Sequence, residues 1–241
     1  MARLLVGLPS LLGDVAKYGK RFEMVELRPV DMSTPRAATL RAWRKAVPPG
    51  FVFSVVLPAA VGQLSAGKEF DLALESALTV ATLVEARCLV LATPASVRPT
   101  AVHKRKIGQL LERLHHDGVL VCWEAHGIWE PREMLAVARA AGALLVVDAA
   151  REALPPGPMA YTRLRALGKG AKASATALDR VAEQLRGRRE AFVVVEGAAE
   201  ATRVKTALGS ALARRKGSGT AAPVVVRPAS SSSLVAEDEE Q

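Results

Sequence analysis

The residues in this chain most able to do chemistry recur at one kind of place, the end of a short run rich in Val, Leu and Ala. Glu26 and Arg28 close MVELR, Glu124 and His126 stand at the end of VLVCWEAH, Asp148 ends ALLVVD, and Glu196 ends AFVVVE. Tyr161, Arg163 and Arg165 alternate through AYTRLR. In a β-strand, residues two apart share a face, so Glu26 goes with Arg28, Glu124 with His126, and Tyr161 with both arginines. Four carboxylates and an imidazole that converge could hold a divalent cation or act as general acid and base. A guanidinium forms paired hydrogen bonds to phosphate or carboxylate, which suits the arginines to an anionic ligand. The assignment is therefore Glu26, Glu124 and Asp148 as catalytic groups, with Arg28, His126, Tyr161, Arg163, Arg165 and Glu196 as ligand contacts. The competing account of the same residues is a structural ion-pair network with no ligand.

Other motifs carry less. Neither GxSxG nor HExxH occurs, and GLPSLLG after the first apolar run lacks the glycine spacing of a dinucleotide loop. Cys88 and Cys122 each lie inside an apolar run, which reads as a pair of reduced core thiols. His115 and His116 fall near the end of a helical stretch and read as surface or helix-terminus contacts. Trp43 is expected to pack a helix against the core, and Trp129 a loop over the site.

The elements that must position these residues are legible from periodicity. Strands are expected at 3–8, 24–28, 51–57, 87–92, 119–125, 143–148, 160–165 and 191–196. Their apolar runs are nearly continuous, as in parallel strands buried on both faces. Helix-compatible segments separate them: Ser33 and Pro35 open one that ends before Pro48, and others cover 71–85, 100–116, 131–141, 174–186 and 198–215. Only the connection 151–159, REALPPGPM, is too proline-rich for a helix. Eight strands with helices in seven connections describe an α/β fold, the (β/α)8 TIM barrel, whose chemistry sits at the C-terminal ends of its strands. A doubly wound open sheet is the alternative.

Composition bounds the rest. Of 241 residues, 50% are hydrophobic, which excludes a chain disordered throughout. No charge occurs between Lys45 and Lys68, but Pro48, Pro49, Pro58 and Gly62 break any spanning helix there. Gly7 and Pro9 interrupt the apolar N-terminus, which reads as a strand rather than an export signal, so a cytoplasmic protein without membrane contact is expected. The formal net charge of +9 divides into +4 over residues 1–159, +8 over 160–216 and −3 over 217–241. Residues 1–216 are taken as the barrel domain, and 217–241 as a low-complexity acidic tail expected to be disordered. The basic clusters HKRK at 103–106 and RGRR at 186–189 lack interleaved aromatics, which argues against base stacking.

Several segments resemble the YecE-like family, the TIM-barrel domain of unknown function 72. The most specific match is Trp43 followed by Val47-Pro48-Pro49-Gly50-Phe51-Val52-Phe53, similar to that family's Trp and Val-Pro-x-Gly-Phe-x-Phe. Val25-Glu26-Leu27 resembles its strand-two pattern, with Arg28 where the family usually has Asn. Glu124-Ala125-His126 with Trp129 resembles its Glu-Phe-Arg and Trp, with the arginine lost. Asp148 resembles its strand-six Asp, and Tyr161-Thr162-Arg163 with Gly168 a stretched Tyr-x-Arg-x-x-Gly. The Gly-Thr-Ser-Gly-Trp after strand one is reduced to Gly7, and Val195-Glu196-Gly197 replaces Phe-x-Asn-Asn. The resemblance spans about residues 3–213 and implies a divergent TIM-barrel member of a bacterial type, with no established reaction. Joined to the residue pattern, it leads to two expectations. One is a small anionic ligand such as a phosphorylated sugar at the barrel mouth, with metal-assisted hydrolase or isomerase chemistry. The other is a non-catalytic barrel that contacts nucleic acid or an acidic partner through its basic clusters.

Overall fold

The computed structural model describes residues 3–29, 35–116, 118–165 and 174–214. The helix start at Ser33, the turn at Gly168 and the tail at 217–241 lie outside these residues. Eight parallel strands close into a barrel in chain order: β1 (Arg3–Leu8), β2 (Met24–Leu27), β3 (Val52–Val56), β4 (Cys88–Thr93), β5 (Leu120–Ala125), β6 (Leu144–Val147), β7 (Met159–Leu164) and β8 (Glu190–Val195). The β1–β8 pairing, Arg3 opposite Glu190 through Gly7 opposite Val194, completes the closure and excludes an open doubly wound sheet.

The helices are α1 (Val15–Gly19), α2 (Ala37–Ala46), α3 (Ala59–Gly62), α4 (Lys68–Leu83), α5 (Ala101–Arg113), α6 (Pro131–Ala140), α7 (Ala175–Leu185) and α8 (Ala198–Arg214). The start of α7 shows the local logic. Ser174 accepts a hydrogen bond from the Ala177 amide at 3.1 Å, and Leu178, Val181, Ala182 and Leu185 then form one buried stripe at helical spacing. No helix occupies the connection from β6 to β7, as its prolines require. The short α3 corrects the expectation that Pro58 and Gly62 exclude any helix between residues 46 and 67. Pro58, with φ −56°, precedes the first turn, where a missing N–H costs nothing, and Gly62 lets the turn press on β4.

Two apolar layers result. Residues such as Val25, Phe53, Leu89, Trp123 and Val193 face the helices, while Leu5, Met24, Val52, Val90, Val146, Phe192 and both cysteines fill the barrel interior. Cys88 and Cys122 are free and buried, and burial pushes the Cys122 thiol up from its ordinary pKa. The β1–β2 seam is short, pairing only Gly7 with Met24 and Leu8 with Val25. Tyr18 of α1 reinforces it: its hydroxyl accepts from the Leu8 amide and donates to the Met24 carbonyl, both at 2.9 Å. A Cβ at Gly7 would overlap that same Met24 carbonyl, so glycine is required for this approach. Among the described residues, no helix is long and apolar enough to cross a membrane.

Candidate functional site

The interior face identified by Met24, Cys122, Val146, Tyr161 and Phe192 continues, two residues at a time, to Glu26, Glu124, Asp148, Arg163 and Val194. Strands β2, β6, β7 and β8 end one residue earlier than periodicity suggests. Arg28, Asp148, Arg165 and Glu196 therefore stand in the first positions of the connections, and His126 follows the end of β5 directly.

Above the Tyr161–Phe192 stack, whose ring centroids lie 5.8 Å apart, the interior turns from apolar to ionic. Arg163 is the centre, 3% exposed: Nη2 donates to Oε1 of Glu26, and Nη1 donates to Oε2 of Glu124. Glu26 is fully buried and its Oε1 also accepts from the Tyr161 hydroxyl at 2.7 Å. That hydroxyl lies 2.9 Å from Ser54 Oγ on β3. Burial and then the Glu26 charge push the Tyr161 pKa well above its ordinary value, so the phenol is neutral and serves as donor. Burial works against the charge of Arg163, but Glu26 and Glu124 outweigh it and raise the guanidinium's pKa.

A second tier covers this network. Arg165 pairs with Glu124 Oε1 at 2.7 Å through a side chain 40% exposed. Arg28, 32% exposed, approaches Glu26 Oε2 only to 3.6 Å, too far for a hydrogen bond. Glu26 Oε2 is buried and has no hydrogen-bond partner among the described residues, and the same holds for Arg163 Nε. Half-buried His126 feels Glu124, Arg165, Arg163 and Arg28, and its pKa is lowered, first by burial and then by the arginines against the pull of Glu124. A neutral imidazole can donate at one nitrogen and accept at the other.

The structure thus brings Glu26, Arg28, Glu124, His126, Tyr161, Arg163 and Arg165 together. Asp148 is used differently: its Oδ1 accepts from the Ala150 amide at 3.0 Å and its Oδ2 from the Arg165 amide at 3.1 Å, so it fastens two connections. Glu196 is exposed beyond β8 and, among the described residues, forms no ion pair. Ser54 was missed, although a lone hydroxyl inside VFSVV is a readable signal. Trp129 does pack a loop at this end, with its indole donating to the Val97 carbonyl at 2.7 Å and its ring edge-on to Trp123.

The divalent cation entertained on sequence grounds does not fit this donor set. Two of the carboxylates it needs are bridged by the Arg163 guanidinium, and Asp148 holds backbone amides. Among the described residues no group of three or more His, Cys, Asp or Glu could hold a metal ion.

A model of the family described as protein of unknown function DUF72 matches residues 7–225, nearly the whole chain. The chain belongs to this family. Solved DUF72 structures agree with the barrel. One from Enterococcus faecalis is similar at TM-score 0.67 and 16% identity, covering 88% of this chain and 98% of that one. Another from Thermotoga maritima is similar at TM-score 0.64 and 17% identity, covering 86% and 99%. Beyond DUF72, the fold is similar to an L-ribulose 3-epimerase at TM-score 0.61 and 14% identity, covering 95% of this chain and all of that one. No curated protein matches. In this DUF72 chain, the ionic network around Arg163 occupies the end of the barrel where TIM-barrel chemistry is found.

Proposed function

We propose that the barrel mouth binds a small anionic polyol, a phosphorylated sugar being the best fit, and moves a proton next to its carbonyl, as a sugar isomerase or epimerase does. The observation that carries this reading is the buried Glu26 carboxylate, with one oxygen saturated by Tyr161 and Arg163 and the other without a donor. Buried polar atoms are normally hydrogen-bonded, and an exception beside a group of arginines suits a ligand hydroxyl or an acidic C–H. Arg28 covers that oxygen through a long ion contact with a part-exposed side chain. A ligand anion that draws Arg28 and Arg165 outward would uncover it.

In this reading Glu26 Oε2 takes the proton from carbon, and the charge that develops on the carbonyl oxygen is met by a hydrogen bond from neutral His126. Return of the proton by Glu26 to the neighbouring carbon, with the hydroxyl proton passed between the two oxygens by His126, completes the isomerisation with no redox partner. Arg163 is a positioning residue, since it fixes both carboxylates from below. The metal-assisted version of the chemistry is not carried forward, because the donor set does not fit it. That structures of the same fold include an L-ribulose 3-epimerase and a D-allulose 3-epimerase supports a sugar ligand by analogy alone, and the phosphate rests on the arginines.

The test is solvent-deuterium incorporation, followed by proton NMR, across pentose and hexose phosphates and their unphosphorylated parents. Exchange next to the carbonyl is expected with a phosphorylated sugar and is expected to fall by about 100-fold or more in Glu26→Gln. That substitution keeps an acceptor for Tyr161 and Arg163. Exchange that is absent with every sugar, or unchanged in Glu26→Gln, would remove the catalytic reading.

A further inference from the structure

The charge of this chain is not where its basic sequence clusters suggest. Within HKRK, Lys104 pairs with Glu133 at 2.6 Å, Lys106 donates to the Leu64 carbonyl, and His103 lies 2.9 Å from the Arg98 carbonyl. Within RGRR, Arg186 pairs with Glu183, and Arg188 donates to the carbonyls of Pro155, Gly157, Met159 and Gln184. These side chains staple the fold.

Another set of exposed cations lies at the other end of the barrel. With all strands parallel, every helix-to-strand connection falls on the N-terminal face, opposite the mouth. Lys20 follows α1, Lys45 lies in the last turn of α2, Arg113 ends α5, Arg139 lies in the last turn of α6, Arg189 precedes β8 and Arg214 ends α8. All six are exposed, and among the described residues none pairs with a carboxylate. Four carboxylates of this face are paired, Glu190 with Arg3 and Arg87, Glu85 with Arg44, Glu183 with Arg186 and Glu23 with Lys205, while Glu112 beside Arg113 has no ion pair among the described residues. Cations in last turns do favour helix C-termini. That preference accounts for their place on each helix, though not for the scarcity of free countercharge around them.

We propose that this N-terminal face is a docking surface for duplex nucleic acid, held through phosphates and without reading sequence. Four of the six cations are arginines, whose planar fork suits phosphate oxygens. Tyr18, Phe22 and Phe51 at this end are buried, and Trp43 in the last turn of α2 is partly buried against the core, so no row of exposed rings offers a platform for stacking unpaired bases. A backbone-only contact with a duplex is the mode that remains.

The experiment is fluorescence anisotropy of a labelled random-sequence DNA duplex against the full chain, titrated at salt concentrations from roughly 50 to 200 mM. Six phosphate contacts predict a log–log slope of about −5, equivalent to roughly a 1,000-fold loss of affinity over that range. The triple variant Lys45→Glu, Arg113→Glu, Arg139→Glu should lower the slope's magnitude by about 3, while Lys68→Glu with Arg98→Glu at the mouth side should leave it unchanged. Circular dichroism melts confirm that both variants fold. Three results would overturn the proposal: no duplex binding at low salt, equal loss in both variants, or competition by polyglutamate as strong as by unlabelled duplex.

Discussion

At the residue scale the site depends on one guanidinium held between two carboxylates. Removing a single partner of a buried pair leaves an uncompensated charge, so Arg163→Met should cost about 3–5 kcal/mol in urea denaturation. Adding Glu26→Gln and Glu124→Gln to it should recover a large part of that loss, because no buried charge then remains. His126 offers a second check. Its folded pKa lies below the ordinary imidazole value, so the unfolded chain binds more protons across the window between the two. Its contribution to stability is therefore present above that window and falls as pH drops through it, a slope that His126→Gln should flatten. The imidazole proton shifts should titrate below the ordinary value. Much of this site was legible because period two in short apolar runs places Glu26, Glu124 and Arg163 on one face without any knowledge of their neighbours. What was not legible is who pairs with whom. Asp148 looks like Glu124 in sequence, yet the amides of Ala150 and Arg165 reach it first, and no local pattern announces that.

At the element scale the strands were readable because burial on both faces forces continuous Val and Leu runs. Their ends shifted by a residue at Arg28, Asp148, Arg165 and Glu196, where side-chain type does not reveal the last backbone pairing. The short α3 was hidden, since proline and glycine ordinarily read as helix breakers. Its tight fit gives a sharp prediction. A Cβ on Gly62 would overlap the Ala92 carbonyl oxygen of β4, so Gly62→Ala should destabilise the protein by about 1–3 kcal/mol in thermal or urea unfolding. Gly108 provides the contrast: it lies inside α5 with open space around the Cβ position, and Gly108→Ala should stabilise by about 0.5–1 kcal/mol. If Gly62→Ala left stability unchanged or raised it, the packing described for α3 against β4 would be wrong.

At the scale of the whole molecule, the barrel separates two kinds of charge. The mouth buries its carboxylates under arginines, while the opposite face carries cations with little to balance them. A substitution at one end should therefore leave the other end's binding unchanged. The most direct test of the central claim is isothermal titration of a ketopentose phosphate and its unphosphorylated parent into the wild-type chain and into Arg28→Met with Arg165→Met. The account predicts that the phosphorylated sugar binds the wild type at least about 10-fold more tightly than its parent, and that the double variant loses this preference while still folding. Equal binding of the two sugars, or a phosphate preference that survives in the variant, would contradict it.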